Sequence, residues 1–174
     1  VKGQGHFFNE EDARSRLNPT GPQHAQIAAL AGITEYIDDV YDHHFQDSSY
    51  SRHERARKVF GLVSQYESEL ANMLLSFLAN RDDVRLLGKE KAEPGKRSPT
   101  VSFKFRTMSS RKIAQELAKY QIGVGSGNFY ALRCIEALGI DPQDGVVRVS
   151  MVHYNTKEEV GKLISTLGQI LDAA

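Results

Sequence analysis

The side chains able to do chemistry fall in three places along this 174-residue chain. The first is residues 146–152, Val-Val-Arg-Val-Ser-Met-Val. Their alternation predicts a strand with Val147, Val149 and Met151 on one face and Arg148, Ser150 and Val152 on the other. An arginine in the middle of such a strand is costly to desolvate unless a carboxylate or phosphate pairs with it. Its planar fork can hold a carboxylate through two parallel hydrogen bonds. An internal salt bridge or a solvent-facing position is the alternative use of the same residue.

The second place is the run 123–128, Gly-Val-Gly-Ser-Gly-Asn, between a predicted strand and a predicted helix. Glycines permit close backbone approach, and the N-terminus of a following helix attracts anions. The spacing is G-x-G-x-G rather than the dinucleotide pattern G-x-G-x-x-G, which disfavours a nucleotide-binding module and leaves a flexible turn as the simpler reading. The third is the histidine set His6, His24, His43, His44, His53 and His153, with the single cysteine, Cys134. Adjacent His43 and His44 diverge on a helix, there is no H-E-x-x-H and no cysteine pair, so no metal site is expected. Cys134 lies in an apolar-rich helical pattern and is expected to be a small buried hydrophobe. No G-x-S-x-G supports a Ser-His-Asp triad.

These residues must be positioned by the elements around them. Ile27, Leu30, Ala31, Thr34, Ile37 and Tyr41 fall at helical spacing, with Pro22 in the first helical turn. After a turn at residues 46–51, Val59, Leu62, Val63, Tyr66, Leu70, Met73, Leu74 and Phe77 repeat at i, i+3, i+4, i+7. A helix of about 28 residues results, about 40 Å long, either a strut between two lobes or a long core helix. Residues 84–87 predict a short strand, 89–98 a charged exposed loop, and 101–106 a half-buried strand. Ser109 or Ser110 caps a helix carrying Ile113, Ala114 and Leu117. Residues 121–124 predict a further strand closed by the glycines, and 129–138 a helix ending before Gly139. Thr156 and Glu159 form a capping box ahead of Val160, Leu163, Ile164, Leu167 and Leu171. The fold class is α/β or α+β, a small mixed sheet with helices packed on it.

Composition narrows the function classes. The balance of 22 basic and 22 acidic residues gives no global pull toward nucleic acid or an anionic membrane. No apolar run approaches the roughly 20 residues of a bilayer span. One cysteine excludes an internal disulfide and suits a reducing cytoplasm. The chain opens on Val1 with no visible secretion signal.

Residues 147–160, Val-Arg-Val-Ser-Met-Val-His-Tyr-Asn-Thr-Lys-Glu-Glu-Val, strongly resemble the closing segment of class V aminotransferases and cysteine desulfurases. There, R-x-S-x-x-x-Y-N-T-x-E-E leads into the last helix. Gly127-Asn128-Phe129-Tyr130-Ala131, followed by Leu138-Gly139, resembles the family's G-x-x-x-A loop and helix. Residues 17–24, Leu-Asn-Pro-Thr-Gly-Pro-Gln-His, resemble the segment after the cofactor lysine. The resemblance implies a type I pyridoxal-phosphate-dependent transferase fold. Residues 1–50 would be a lead-in segment and helix from the end of the large domain, 51–83 a long connecting helix, and 84–174 the small C-terminal domain.

The resemblance also implies pyridoxal phosphate as an electron sink for an amino-acid substrate, and a cytoplasmic homodimer. Arg148 would bind the substrate's α-carboxylate, Thr20 and Gly21 would lie near the cofactor phosphate, and Gly127, Asn128 and Tyr130 would form an active-site loop. The cofactor lysine and the aspartate that pairs with the pyridine nitrogen are expected upstream of Val1. This chain would then hold no catalytic residue and no cofactor stably by itself. Tyr130 stands where desulfurases carry their nucleophilic cysteine, and Cys134 comes four residues later in a helix, so the persulfide route is not expected. The alternative is a non-enzymatic dimerisation or partner-binding domain derived from the same fold.

Overall fold

A computed structural model describes residues 22–173. Thr20 and Gly21 lie outside the described residues. The chain divides into two compact units, Val1–Val59 and Phe60–Ala174. In the first, helix α1 (His24–His44) begins after Gln23, so Pro22 precedes the helix instead of occupying its first turn. Ile27 and Leu30 are exposed and Tyr41 is buried. The Tyr41 hydroxyl donates to the Asp47 carbonyl at 2.9 Å, and Arg55 lies 5.0 Å from its ring centroid. The next helix, α2 (Arg52–Ala79), has 28 residues. Its start is fixed by Ser51, whose backbone N–H donates to Glu54 Oε2 at 2.9 Å and whose hydroxyl receives the Glu54 N–H at 3.4 Å.

The second unit is a four-stranded sheet with helices against it. Its elements are β1 (Val84–Leu87), β2 (Thr100–Phe105), α3 (Ser110–Ala118), β3 (Gly125–Gly127), α4 (Leu132–Ala137), β4 (Val146–Ser150) and α5 (Lys157–Asp172). The strand order is β1-β2-β4-β3 and every pairing is antiparallel, so the sheet is not mixed. The reason is topological: β1 turns back onto β2 through the loop 88–99, and β3 turns back onto β4 through α4, while β4 lies against β2 after α3, β3 and α4.

One face of the sheet makes the main core. Val101, Phe103 and Phe105 of β2 and Val147 and Val149 of β4 meet Leu70, Leu74 and Leu78 of α2. Ile113 and Leu117 of α3 and Val160, Leu163 and Leu167 of α5 complete it. Each such side chain contributes about 1.5–3 kcal/mol when fully buried. The opposite face carries a smaller cluster of Ile135, Ile140 and Val146, with Leu87 and Phe129 packed on it. The charged loop 89–98 is anchored to α2: Asn72 exchanges two hydrogen bonds with the Ala92 backbone, at 2.9 and 2.8 Å. β4 is also tied at its far end, where the Met151 N–H donates to the Pro99 carbonyl at 3.0 Å.

Candidate functional site

Alternation along β4 turns Val147 and Val149 into the core and leaves Arg148 on the second face, half-buried. Antiparallel register sets Arg148 between Ser102 on β2 and Gly125 on β3. Its guanidinium carbon stands 3.9 Å from the centroid of the Phe129 ring. Among the described residues the Arg148 guanidinium has no ion pair and no hydrogen bond. The internal salt bridge that would have explained it structurally is therefore not formed there. Its neighbour on the same face behaves differently: Lys104 binds Asp144 at 2.7 Å and donates to the carbonyls of Phe105 and Met108 at 3.1 and 3.3 Å. Lys104 is thus paired, whereas Arg148 is held over an aromatic ring with its donors unspent.

Three glycines explain how the ring reaches that position. Gly125 lies in β3 itself, not in a turn after it, and the predicted strand at 121–124 is displaced onto the glycines. A Cβ at Gly125 would sit 2.9 Å from Cε1 and Cζ of Phe129, so the ring occupies the space that a side chain would fill. Gly127 has φ +124, a conformation that side chains with a Cβ rarely adopt, and it pairs with Val146. Gly145, at φ +62, brings its Cα against the backbone of Gly127: a Cβ there would fall 2.1 Å from the Gly127 carbonyl carbon. The turn before β4 and the edge strand β3 are thus locked backbone to backbone.

The loop after β3 departs from the predicted helix over 129–138. Phe129 and Tyr130 have φ 52 and 60, in the left-handed region, and the helix begins only at Leu132. Asn128 organises the bend. Its side-chain oxygen accepts the Tyr130 N–H at 3.1 Å, and its amide donates to the Pro142 carbonyl at 3.3 Å. Gly127 and Asn128 therefore lie beside Arg148 through Phe129, whereas Tyr130 is fully exposed. Cys134 is exposed as well, contrary to the expectation of a buried thiol. The six-residue α4 buries only Ile135, and Cys134 falls on its solvent side.

At its other end β4 runs directly into a capped helix. The Val152 N–H donates to the Asn155 side chain at 2.9 Å, and Asn155 donates in turn to Glu159 at 3.1 Å. Thr156 and Glu159 complete the predicted capping box. The Thr156 backbone N–H and the Asn155 amide hold the Glu159 carboxyl below the usual carboxylate range.

A cleft of about 240 Å³ lined by Ile122, Val124, Val149, Met151 and Glu159 opens beside the C-terminal end of β4, and Arg148 does not line it. What the Arg148 face offers is a half-buried, oriented cation on a rigid strand, able to bind a carboxylate edge-on. Among the described residues no group of histidine, cysteine or carboxylate side chains is placed to hold a metal ion. None of the helices there is long and apolar enough to cross a membrane. Sequence reasoning singled out Arg148, Gly127 and Asn128 and did not foresee that Phe129 would lie against Arg148. It also missed Gly125 and Gly145, whose necessity comes from contacts distant in sequence.

Comparison with known proteins gives this geometry a family. The family model for class V aminotransferases matches residues 56–163. An aminotransferase-like protein of Gibberella zeae is 28% identical over 169 residues, covering 96% of this chain and 38% of the relative. A nonribosomal peptide synthetase-like enzyme of Aspergillus fumigatus is 35% identical over 180 residues, covering 99% of this chain and 11% of the relative. The chain thus spans well under half the length of either relative. The apo structure of a cysteine desulfurase from Thermococcus onnurineus superposes with a TM-score of 0.60 at 25% identity, over 71% of this chain and 29% of that one. The α/β fold is that of cysteine desulfurases.

Proposed function

This chain belongs to the class V aminotransferase family, and on that premise we propose that it supplies the substrate-carboxylate side of a pyridoxal-phosphate-dependent enzyme acting on an amino acid. The observation that carries the reading is Arg148, half-buried in mid-strand and without an acidic partner among the described residues. A mid-strand guanidinium left unpaired is explained if a ligand carboxylate pairs with it.

The described residues fit the carboxylate end of an amino acid, and the positions that resemblance assigns to the cofactor phosphate, Thr20 and Gly21, lie outside them. When bound, pyridoxal phosphate would supply an electron sink for the substrate's α-carbon. The chain's own part is binding and orientation. β4 fixes the Arg148 Cα through pairing on both sides, Phe129 limits the plane of the guanidinium, and its N–H edge receives the carboxylate in two parallel hydrogen bonds. Residues 127–130 form the adjacent loop. In this reading the cofactor lysine belongs to a part of the enzyme outside this chain, the active assembly is a homodimer, and the chain is inactive without that lysine-bearing domain. The relation of residues 1–50, 51–83 and 84–174 to a large domain, a connecting helix and a small domain is part of the same proposal. A phenol at position 130 cannot carry a persulfide, so the enzyme is desulfurase-like in fold without that nucleophile at this position.

The test is an amino-acid titration of the cofactor-loaded enzyme containing this chain, followed by cofactor absorbance. Arg148→Lys retains the charge but loses the fork, and amino-acid affinity should fall about tenfold or more with the bound-cofactor spectrum intact. Unchanged affinity would remove Arg148 from the substrate site.

A further inference from the structure

The charged end of Arg148 lies over the ring of Phe129, 3.9 Å from its centroid. The contact is built at some cost. Phe129 and Tyr130 are non-glycine residues held at φ 52 and 60, and Gly125 leaves open the volume that the ring enters, 2.9 Å from where its Cβ would be. Phe129 also packs against the cluster of Ile135, Ile140 and Val146, so one edge of the ring is fixed by the second core. Strained backbone, a missing side chain and a small core thus all serve to place one aromatic face against one guanidinium.

We infer that Phe129 is a positioning residue that stacks on Arg148 and orients it to receive a carboxylate in the guanidinium plane. The inference rests on the carboxylate reading of Arg148 above and adds the residue that acts through it. An arginine on a flexible three-carbon stem samples many rotamers, and freezing them on binding weakens the complex. A ring across one face pre-pays that ordering and blocks out-of-plane approach, while leaving the N–H edge free to donate. The ring makes no polar contact with the ligand, so its removal should change affinity and leave the cofactor's chemistry intact.

Two measurements test this with Phe129→Leu and Phe129→Tyr. In the first, the Arg148 side-chain Nε–H resonance of the ¹⁵N-labelled chain is assigned by its loss in Arg148→Gln. Ring current should displace it upfield, Phe129→Leu should return it toward the position of a free arginine, and Phe129→Tyr should restore the displacement. In the second, L-alanine is titrated into the cofactor-loaded enzyme. Its apparent Kd should rise roughly three- to thirty-fold in Phe129→Leu and recover in Phe129→Tyr. An Nε–H signal unmoved by Phe129→Leu overturns the inference. So does L-alanine affinity unchanged in Phe129→Leu but lost in Arg148→Gln. If Arg148→Gln binds L-alanine as well as the wild type, it is the carboxylate reading that fails, and the role built on it falls too.

Discussion

Gly145→Ala should be among the most damaging single-methyl changes available in this domain, and its cost can be worked out in parts. Gly145 has φ +62, where an L side chain is disfavoured by about 1–2 kcal/mol. The new Cβ would also fall 2.1 Å from the Gly127 carbonyl carbon, 2.2 Å from its oxygen and 2.7 Å from the Asn128 nitrogen. All three are backbone atoms, so no side-chain rotation relieves the clash, and β3 must move off β4. With it goes the Gly127–Val146 pairing and the buried hydrogen bond from Ser110 Oγ to the Gly145 carbonyl, at 3.1 Å. A hydrogen bond of that kind contributes about 1 kcal/mol net. The sum is about 3–5 kcal/mol, a large share of a typical domain's stability. A control separates the parts. Gly95 has φ +74 but nothing within 4 Å of its Cβ position, so Gly95→Ala pays only the backbone cost, about 1 kcal/mol. Urea unfolding followed by circular dichroism measures both, and Gly145→Ala should shift the midpoint by about 2 M. If the two variants lose equal stability, the backbone contact between the β4 turn and β3 is not what holds the edge strand.

Two further changes test the framework around the site. Thr156→Ala removes half of the capping box and should cost about 1 kcal/mol by the same unfolding assay. Because the Glu159 carboxyl is held low in the folded state, its stabilisation is present above the unfolded carboxylate range and is lost as pH falls through the folded value. Glu159→Gln should therefore lessen the acid sensitivity of stability, which a pH series of melts would show. Arg81 joins Asp83 at 2.7 Å to Asp172 at 2.7 Å, linking the start of β1 to the end of α5. Because Arg81 holds the Asp83 carboxyl below the usual carboxylate range, Arg81→Met should cost about 1 kcal/mol at pH 7 and less as pH falls through the folded Asp83 value; an equal loss across a pH series would mean that packing, not charge, matters.

Much of the fold was legible because its cues are local. The alternation Val147, Arg148, Val149 assigns faces to β4 without knowledge of its partners, and the capping box names the first turn of α5. The 28-residue helix follows from its own stripe. What failed depends on distant contacts. Three residues reading Gly-Ser-Gly have little strand propensity, and they form β3 only because β4 pairs with them and Gly145 presses against them. The apolar spacing over 129–138 reads as a helix, yet Phe129 is drawn out of it by Arg148 and the gap at Gly125. Whether a sheet is parallel or antiparallel is equally invisible to alternation, which records faces and not directions. For the site, the cation was visible in the sequence and its aromatic partner was not.

The consecutive left-handed residues at the tip of the site also bear on how the domain yields. Side chains with a Cβ lose about 1–2 kcal/mol each in that region, and Phe129 and Tyr130 both sit there. The ring contact and the Asn128 hydrogen bond override that penalty, but the strain stays stored as elastic work. A rearrangement that returned both residues to negative φ would recover about 2–4 kcal/mol, so this segment resists local unfolding less than a relaxed turn of equal length. The strand beneath carries no such load. A strained loop and a relaxed strand are therefore built side by side, and the ring that orients the guanidinium is carried on the strained one.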